Sequence, residues 1–127
     1  MSENPVRDAI QHAIADHDVI LFMKGTPERP MCGFSARTAA ALESLGAEYA
    51  AVDILPDPRI RQELSSISNW PTIPQLFVKG ELVGGCDIVT EMYESGELAT
   101  ALGVEQPSEA QAANAVEGAP LQIDNRL

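Results

Sequence analysis

Cysteine is scarce in this 127-residue chain: there are two, Cys32 and Cys86, beside two histidines. That is too few for a disulfide framework, and no closed four-ligand metal site can be built from these cysteines alone. Positive charge is scarce as well. Eight Lys and Arg face nineteen Asp and Glu, a net charge of −11, which argues against nucleic acid or an anionic membrane surface as a partner. An anionic ligand would have to be held by a few local cations, so each Lys and Arg is worth locating. Long apolar runs are missing too: Val19-Ile-Leu-Phe-Met23 is far too short to cross a bilayer. The start, Met1-Ser-Glu-Asn-Pro5, has neither a basic nor an apolar leader region. Two cysteines without a leader point to the reducing cytoplasm, where cysteine is kept for chemistry or packing.

What is present is enough for one ordinary core, with 45% hydrophobic residues. Asn4-Pro5 reads as an N-cap followed by proline at the first helical position, and Val6, Ile10, Ala13 and Ile14 recur at helical spacing to about residue 17. A buried strand is predicted over 18–24, a loop over 25–30 and an alanine-rich helix over 35–45, stopped by Gly46. A strand follows at 48–54, and Asp57-Pro58 repeats the cap-and-proline signature for a helix to about residue 67. Two prolines make 69–74 a loop. A hairpin is predicted from 75–79 and 82–83, and Asp87 should cap a helix that runs to about residue 93, before a short one over 96–102. This order is an α/β pattern, a mixed sheet with a parallel crossover. Residues 1–104 are thus expected to form one domain, and 105–127 an acidic, disordered tail rich in Glu, Gln, Ala and Pro.

Cys32 lies at the predicted strand-to-helix junction, in Arg29-Pro-Met-Cys-Gly-Phe-Ser-Ala-Arg37. The free N–H groups and positive dipole end of a helix N-terminus favour thiolate over thiol, and Arg29 and Arg37 add to that field if they point inward. Gly33 beside it leaves room for another molecule's backbone. Where a dithiol redox motif carries its second cysteine, the chain has Ser35, which cannot resolve a mixed disulfide. The thiol then needs an external partner, or Cys86, or a role without resolution such as metal ligation. His12 and His17 are five apart, off the shared face that a metal pair needs, and are expected at the surface.

Lys24, Cys32-Gly-Phe-Ser35, Trp70-Pro-Thr-Ile-Pro74 and Gly84-Gly-Cys-Asp87 together closely resemble the monothiol, CGFS-type glutaredoxins. The likeness runs from about residue 4 to 104 with every motif in order. It implies a thioredoxin-like fold, a four-stranded mixed sheet flanked by helices, with glutathione as ligand and a [2Fe-2S] cluster shared between two protomers. By the same resemblance Lys24 and Arg61 face the glycine carboxylate of glutathione. Ile73-Pro74 looks like the cis-proline junction whose Ile73 backbone pairs with the tripeptide as a short strand. The amides of Cys86 and Asp87 receive the γ-glutamyl carboxylate, and the Asp87 carboxylate meets the ammonium. Trp70 and Phe34 are expected around the same site, with plain structural burial as the alternative for each. The Cys86 thiol is either buried or paired with Cys32 when ligand is absent.

A [2Fe-2S] cluster needs four thiolates. Two protomers, each offering Cys32 and a bound glutathione, supply them, so a resolving cysteine becomes unnecessary and half the ligands can leave when the cluster moves on. The expected function is therefore storage and transfer of iron–sulfur clusters by a cluster-bridged homodimer. The alternative is a glutathione-dependent thiol–disulfide oxidoreductase with Cys32 as sole nucleophile, a weak one on family grounds because the 25–31 insertion separates Lys24 from Cys32. BolA-like proteins and apo iron–sulfur recipients are the companions that the resemblance implies.

Overall fold

The central strand β1 (Val19–Met23) is apolar at every position, and it is buried on both faces beyond Val19. Such a strand needs a layer on each side, and the computed structural model, which describes residues 4–104, supplies both. β1 pairs in parallel with β2 (Ala50–Asp53) and antiparallel with β3 (Gln75–Val78), which pairs with β4 (Glu81–Gly84). The sheet order is β2-β1-β3-β4.

Helices α1 (Pro5–Asp16) and α3 (Pro58–Ser68) cover one face. There Ile10, Ile14, Ile20, Phe22, Leu64 and Phe77 form a core, with the Phe22 and Phe77 rings edge-to-face at 5.7 Å. Helices α2 (Gly33–Ser44), α4 (Cys86–Ser95) and α5 (Glu97–Leu102) cover the other, burying Leu21, Met23, Leu42, Leu76, Val89 and Leu98. Alternate residues of β1 and β3 feed opposite cores, as strand geometry requires. The expected thioredoxin-like α/β fold is the observed one.

Element ends agree with the local signals that predicted them. Asn4 and Asp57 cap α1 and α3 by accepting from the amides of Arg7 and Arg59, both at 3.0 Å. α3 stops at Asn69, whose φ of 57° suits asparagine in the left-handed region. The hairpin turns on Lys79-Gly80, both at positive φ as a tight two-residue turn demands. Two helix starts differ from expectation: α2 begins at Gly33, two residues before Ser35, and Asp87 does not cap α4. The latter helix starts two residues earlier, with Gly85 at the N-cap and Asp87 in the first turn. A Cβ on Gly85 would stand 3.2 Å from both the Pro74 oxygen and Trp70 Nε1, so a side chain here would need its neighbours to give by a few tenths of an ångström. The expected domain end near residue 104 and the tail at 105–127 fall at and beyond the end of the described residues.

Candidate functional site

The C-terminal end of β1, the start of α2, the loop before β3 and the start of α4 meet around an open cleft of about 350 Å³. All six residues singled out above line it: Lys24, Cys32, Arg61, Ile73, Cys86 and Asp87. α1 and α3 carry side-chain caps, whereas α2 and α4, which open on the cleft, carry none. Their first amides take no side-chain cap, those of Phe34 and Ser35 being turned on the Cys32 sulfur, and the cleft gains two positive dipole ends.

Cys32 occupies the N-cap position of α2 and is half-buried. The neutral thiol closes no capping hydrogen bond, but the thiolate is favoured, and its pKa is lowered. The Ser35 N–H is the largest cause, burial opposes it, and the Phe34 N–H, the Lys24 charge and the Ser35 hydroxyl help. The cation that matters is thus Lys24. Arg29 and Arg37 are exposed and do not contribute to the shift, which corrects the expectation placed on them. Because ionisation is favoured in the folded state, this thiol stabilises the fold fully above the pH at which an unfolded thiol ionises. The contribution is lost as pH falls through the lowered folded value.

A rate measurement follows from this. Alkylation of Cys32 by iodoacetamide, read against pH with Cys86 blocked or protected by its burial, should reach half-maximum below the pH of a free cysteine. Lys24→Gln should raise that midpoint only slightly, since backbone amides lead. A midpoint at or above that of a free thiol would contradict the assigned field.

Ser35 is fully buried, and its hydroxyl accepts a hydrogen bond from the Lys24 N–H at 3.0 Å. Where a second thiol would stand, the chain has a latch between α2 and the end of β1. Asp53, at the end of β2, works from the other side. Its Oδ1 accepts from the amides of Gly25 at 2.9 Å and Leu55 at 3.0 Å. The 25–31 insertion is held in turn by Met31 N–H to the Lys24 carbonyl at 2.9 Å and by mutual bonds between Thr26 and Arg29. Lys24 and Cys32 therefore face the cleft from the two ends of one pinned loop.

Ile73-Pro74 is a cis bond, and the β1–β3 ladder reaches no further than Gln75 opposite Phe22, so the Ile73 backbone lies beyond it at the cleft wall. Arg61 is exposed, and its Nη2 donates to the Pro71 carbonyl at 3.4 Å, which brings a helix residue to the cleft rim. Cys86 is buried, with Sγ 3.9 Å from Thr90 Oγ1, and both cysteines are free thiols. Asp87 is exposed at the first turn of α4. Trp70 lines the cleft while half-buried, and its buried Nε1 has no partner among the described residues. Phe34 is 56% and Met31 63% exposed, so core burial of Phe34 is excluded. Gly33 has open space where a Cβ would point. His12 and His17 are exposed, as expected.

Sequence reasoning missed Thr72 and Ile88, which also line the cleft, and Asp53 and Gln75, which position it. Thr72 lay inside a quoted motif. Asp53 and Gln75 act across the fold or around a loop, and no spacing rule marks them.

Comparison with known proteins agrees with this geometry. The Glutaredoxin family model matches residues 19–83. The probable monothiol glutaredoxin 2 of Rickettsia felis is 51% identical over 98 residues, covering 77% of this chain and 94% of that one. Glutaredoxin 4 of Escherichia coli K12 is 57% identical over 91 residues, covering 72% of this chain and 79% of its own. Among solved structures, a monomeric truncated mutant of Trypanosoma brucei 1-C-Grx1 superposes with a TM-score of 0.72 at 47% identity, over 80% of this chain and 96% of that one. With this fold, one reactive-type cysteine at the start of α2 and Ser35 where a second would stand, the chain belongs to the monothiol branch of the glutaredoxin family.

Proposed function

We propose that this protein binds glutathione in the cleft and, as a pair of protomers, holds a [2Fe-2S] cluster for storage and transfer to other proteins. One observation carries the reading: a thiol whose pKa is lowered stands in a cleft lined by Lys24 and Arg61, and its second-thiol position is a buried, bonded serine. The donor set fits such a cargo only in part within one chain. Among the described residues no group of three or more His, Cys, Asp or Glu could hold a metal ion. Cys32 supplies one soft ligand, and the remaining thiolates would come from glutathione and from a second protomer.

In this reading Lys24 and Arg61 meet the glycine carboxylate, charge-assisted bonds worth about 1.5–3 kcal/mol each when one partner would otherwise be left alone. The Ile73 backbone pairs with the tripeptide, the Cys86 and Asp87 amides take the γ-glutamyl carboxylate, and the Asp87 side chain takes the ammonium. Exposed Met31 and Phe34 flank Cys32 and offer apolar surface to the facing protomer or to a BolA-like protein. Two free thiols suit a reducing compartment such as the cytoplasm. The glutaredoxin domain is taken to end near 104, with 105–127 as a tail.

The lowered Cys32 pKa favours a second reading, thiol exchange. The Cys32 thiolate attacks a protein–glutathione disulfide and releases the protein thiolate. A second glutathione then cleaves the Cys32–glutathione disulfide, leaving the thiol and glutathione disulfide.

Anaerobic reconstitution with ferrous iron, sulfide and a cysteine desulfurase, with and without glutathione, separates the two. Visible absorption and a monomer-to-dimer shift, both dependent on glutathione, are expected. A colourless monomer under all conditions would sink the cluster reading and leave Cys32 to thiol exchange.

A further inference from the structure

The loop from Trp70 to Pro74 forms one wall of the cleft, and its carbonyl groups are tied down by side chains rather than by the sheet. Gln75 is fully buried as the first residue of β3. Its Nε2 donates to the Trp70 carbonyl at 2.9 Å and to the Thr72 carbonyl at 3.0 Å, which uses both hydrogens of the amide. Between them the Pro71 carbonyl accepts from Arg61 at 3.4 Å. Three consecutive carbonyls are thus held, two from beneath by Gln75 and one from the rim by Arg61.

The geometry points to Gln75 as a positioning residue for ligand binding: its amide clamps Trp70 and Thr72 so that the Ile73 backbone stands ready for the tripeptide. This deepens the proposed function and rests on it. The orientation of the amide follows from its partners, since an oxygen turned toward two carbonyls would be repelled, whereas NH₂ satisfies both. The cost of that orientation is visible: Gln75 Oε1 is buried with no partner among the described residues. A residue kept only for packing would fill this place with an apolar side chain and leave no such orphan. The clamp also acts without touching the ligand, because Gln75 is not among the residues lining the cleft. Its effect should therefore fall on affinity and leave the thiolate alone, since the groups that set the Cys32 pKa belong to Lys24, Phe34 and Ser35.

The test compares the wild-type full chain with Gln75→Met, which keeps volume and removes both donors, and with Gln75→Glu. Calorimetry with reduced glutathione gives the dissociation constant, and iodoacetamide alkylation against pH gives the Cys32 midpoint. Affinity should fall by about tenfold or more in both variants, as expected when two buried carbonyls lose their donors, while the Gln75→Met midpoint stays at the wild-type value. A folded variant with wild-type affinity would overturn the inference, as would an affinity loss that moves together with the thiolate midpoint. One measurement does not depend on any variant folding. In ¹⁵N-labelled wild-type protein the Gln75 side-chain NH₂ hydrogens should exchange slowly with solvent before any glutathione is added; exchange as fast as that of an exposed amide would overturn the clamp. Wild-type protein that binds no glutathione overturns the parent reading along with this one, whereas wild-type binding with unaffected variants overturns this one alone.

Discussion

Cys32→Ser should leave a protein that folds as well as the wild type, acquires no cluster colour and stays monomeric in the presence of glutathione, iron and sulfide. The separation between stability and function is what makes the variant informative. Cys32 sits at the N-cap of α2 without a capping bond, and serine is among the preferred residues at that position. Its hydroxyl can accept from the second or third helical amide, a gain of about 0.5–1 kcal/mol relative to an uncapped end. Below the pH at which the thiolate forms, the wild type has no compensating contribution, so the variant should melt at the same temperature or slightly higher there. Function goes the other way. A hydroxyl is a poor ligand for iron and is not ionised near neutrality, and each dimer would lose two of its four ligands. Retained iron should drop by more than the roughly 10–100-fold that losing a supporting outer-shell contact costs a metal site. Thiol exchange would vanish as well. A coloured dimer formed by Cys32→Ser would show that the cluster is held elsewhere.

Gly25→Ala should be the most damaging single methyl in the described part of the chain. Gly25 follows Lys24 and has φ +89°, and a Cβ there would lie 2.5 Å from the Arg29 carbonyl oxygen and 2.8 Å from the Met31 amide nitrogen. Both atoms belong to the backbone, so no rotamer change relieves the contact. Left-handed φ alone costs an alanine about 1–2 kcal/mol. Moving the insertion also strains the Gly25 bond to Asp53 and the Met31 bond to the Lys24 carbonyl. A total of about 2–4 kcal/mol is expected, roughly 10–20 °C in melting temperature for a domain of this size. The damage should reach the site, because Cys32 stands at the far end of the same loop: its alkylation profile should move toward that of a free thiol. Thermal unfolding by circular dichroism and the alkylation rate on the folded protein check the two parts. A variant that melts within a few degrees of wild type would mean that the loop gives way at no cost. Gly33→Ala is the control for the fold, since its Cβ would meet nothing within 4 Å; it should change stability little and interfere only with what docks beside Cys32.

Most of the fold was legible because its signals are local. Asn4-Pro5 and Asp57-Pro58 start α1 and α3 where cap chemistry says they should. The unbroken apolar run of β1 announced a central strand, and Lys79-Gly80 a tight hairpin. The α4 start was misplaced by two residues for an instructive reason. Asp87 has a good capping side chain, but the cap falls at Gly85, where Pro74 and Trp70 lie close, and that closeness exists only once the loop and helix have packed. Arg29 and Arg37 failed in the same way: nearness in sequence to Cys32 did not bring their charges to it, whereas Lys24, eight residues away, is delivered by the strand.

By itself, then, the sequence determined the order of elements, the single reactive-type cysteine, the serine that replaces its neighbour and the six residues that would gather at one cleft. The first three follow from composition, periodicity and motifs read along the chain, and the six residues from the resemblance to the CGFS-type glutaredoxins. Only the tertiary structure decided how that cleft is built and charged: Ser35 buried as a latch on the Lys24 amide, Asp53 pinning the 25–31 loop, Gln75 holding the loop carbonyls, and two helices without side-chain caps where they open on the cleft. The physical reason is that a hydrogen bond depends on where folding brings its donor and acceptor. Residues 11 or 28 apart in the chain meet at about 3 Å here only because β2 pairs in parallel with β1 and α2 packs on the sheet beside the end of β1.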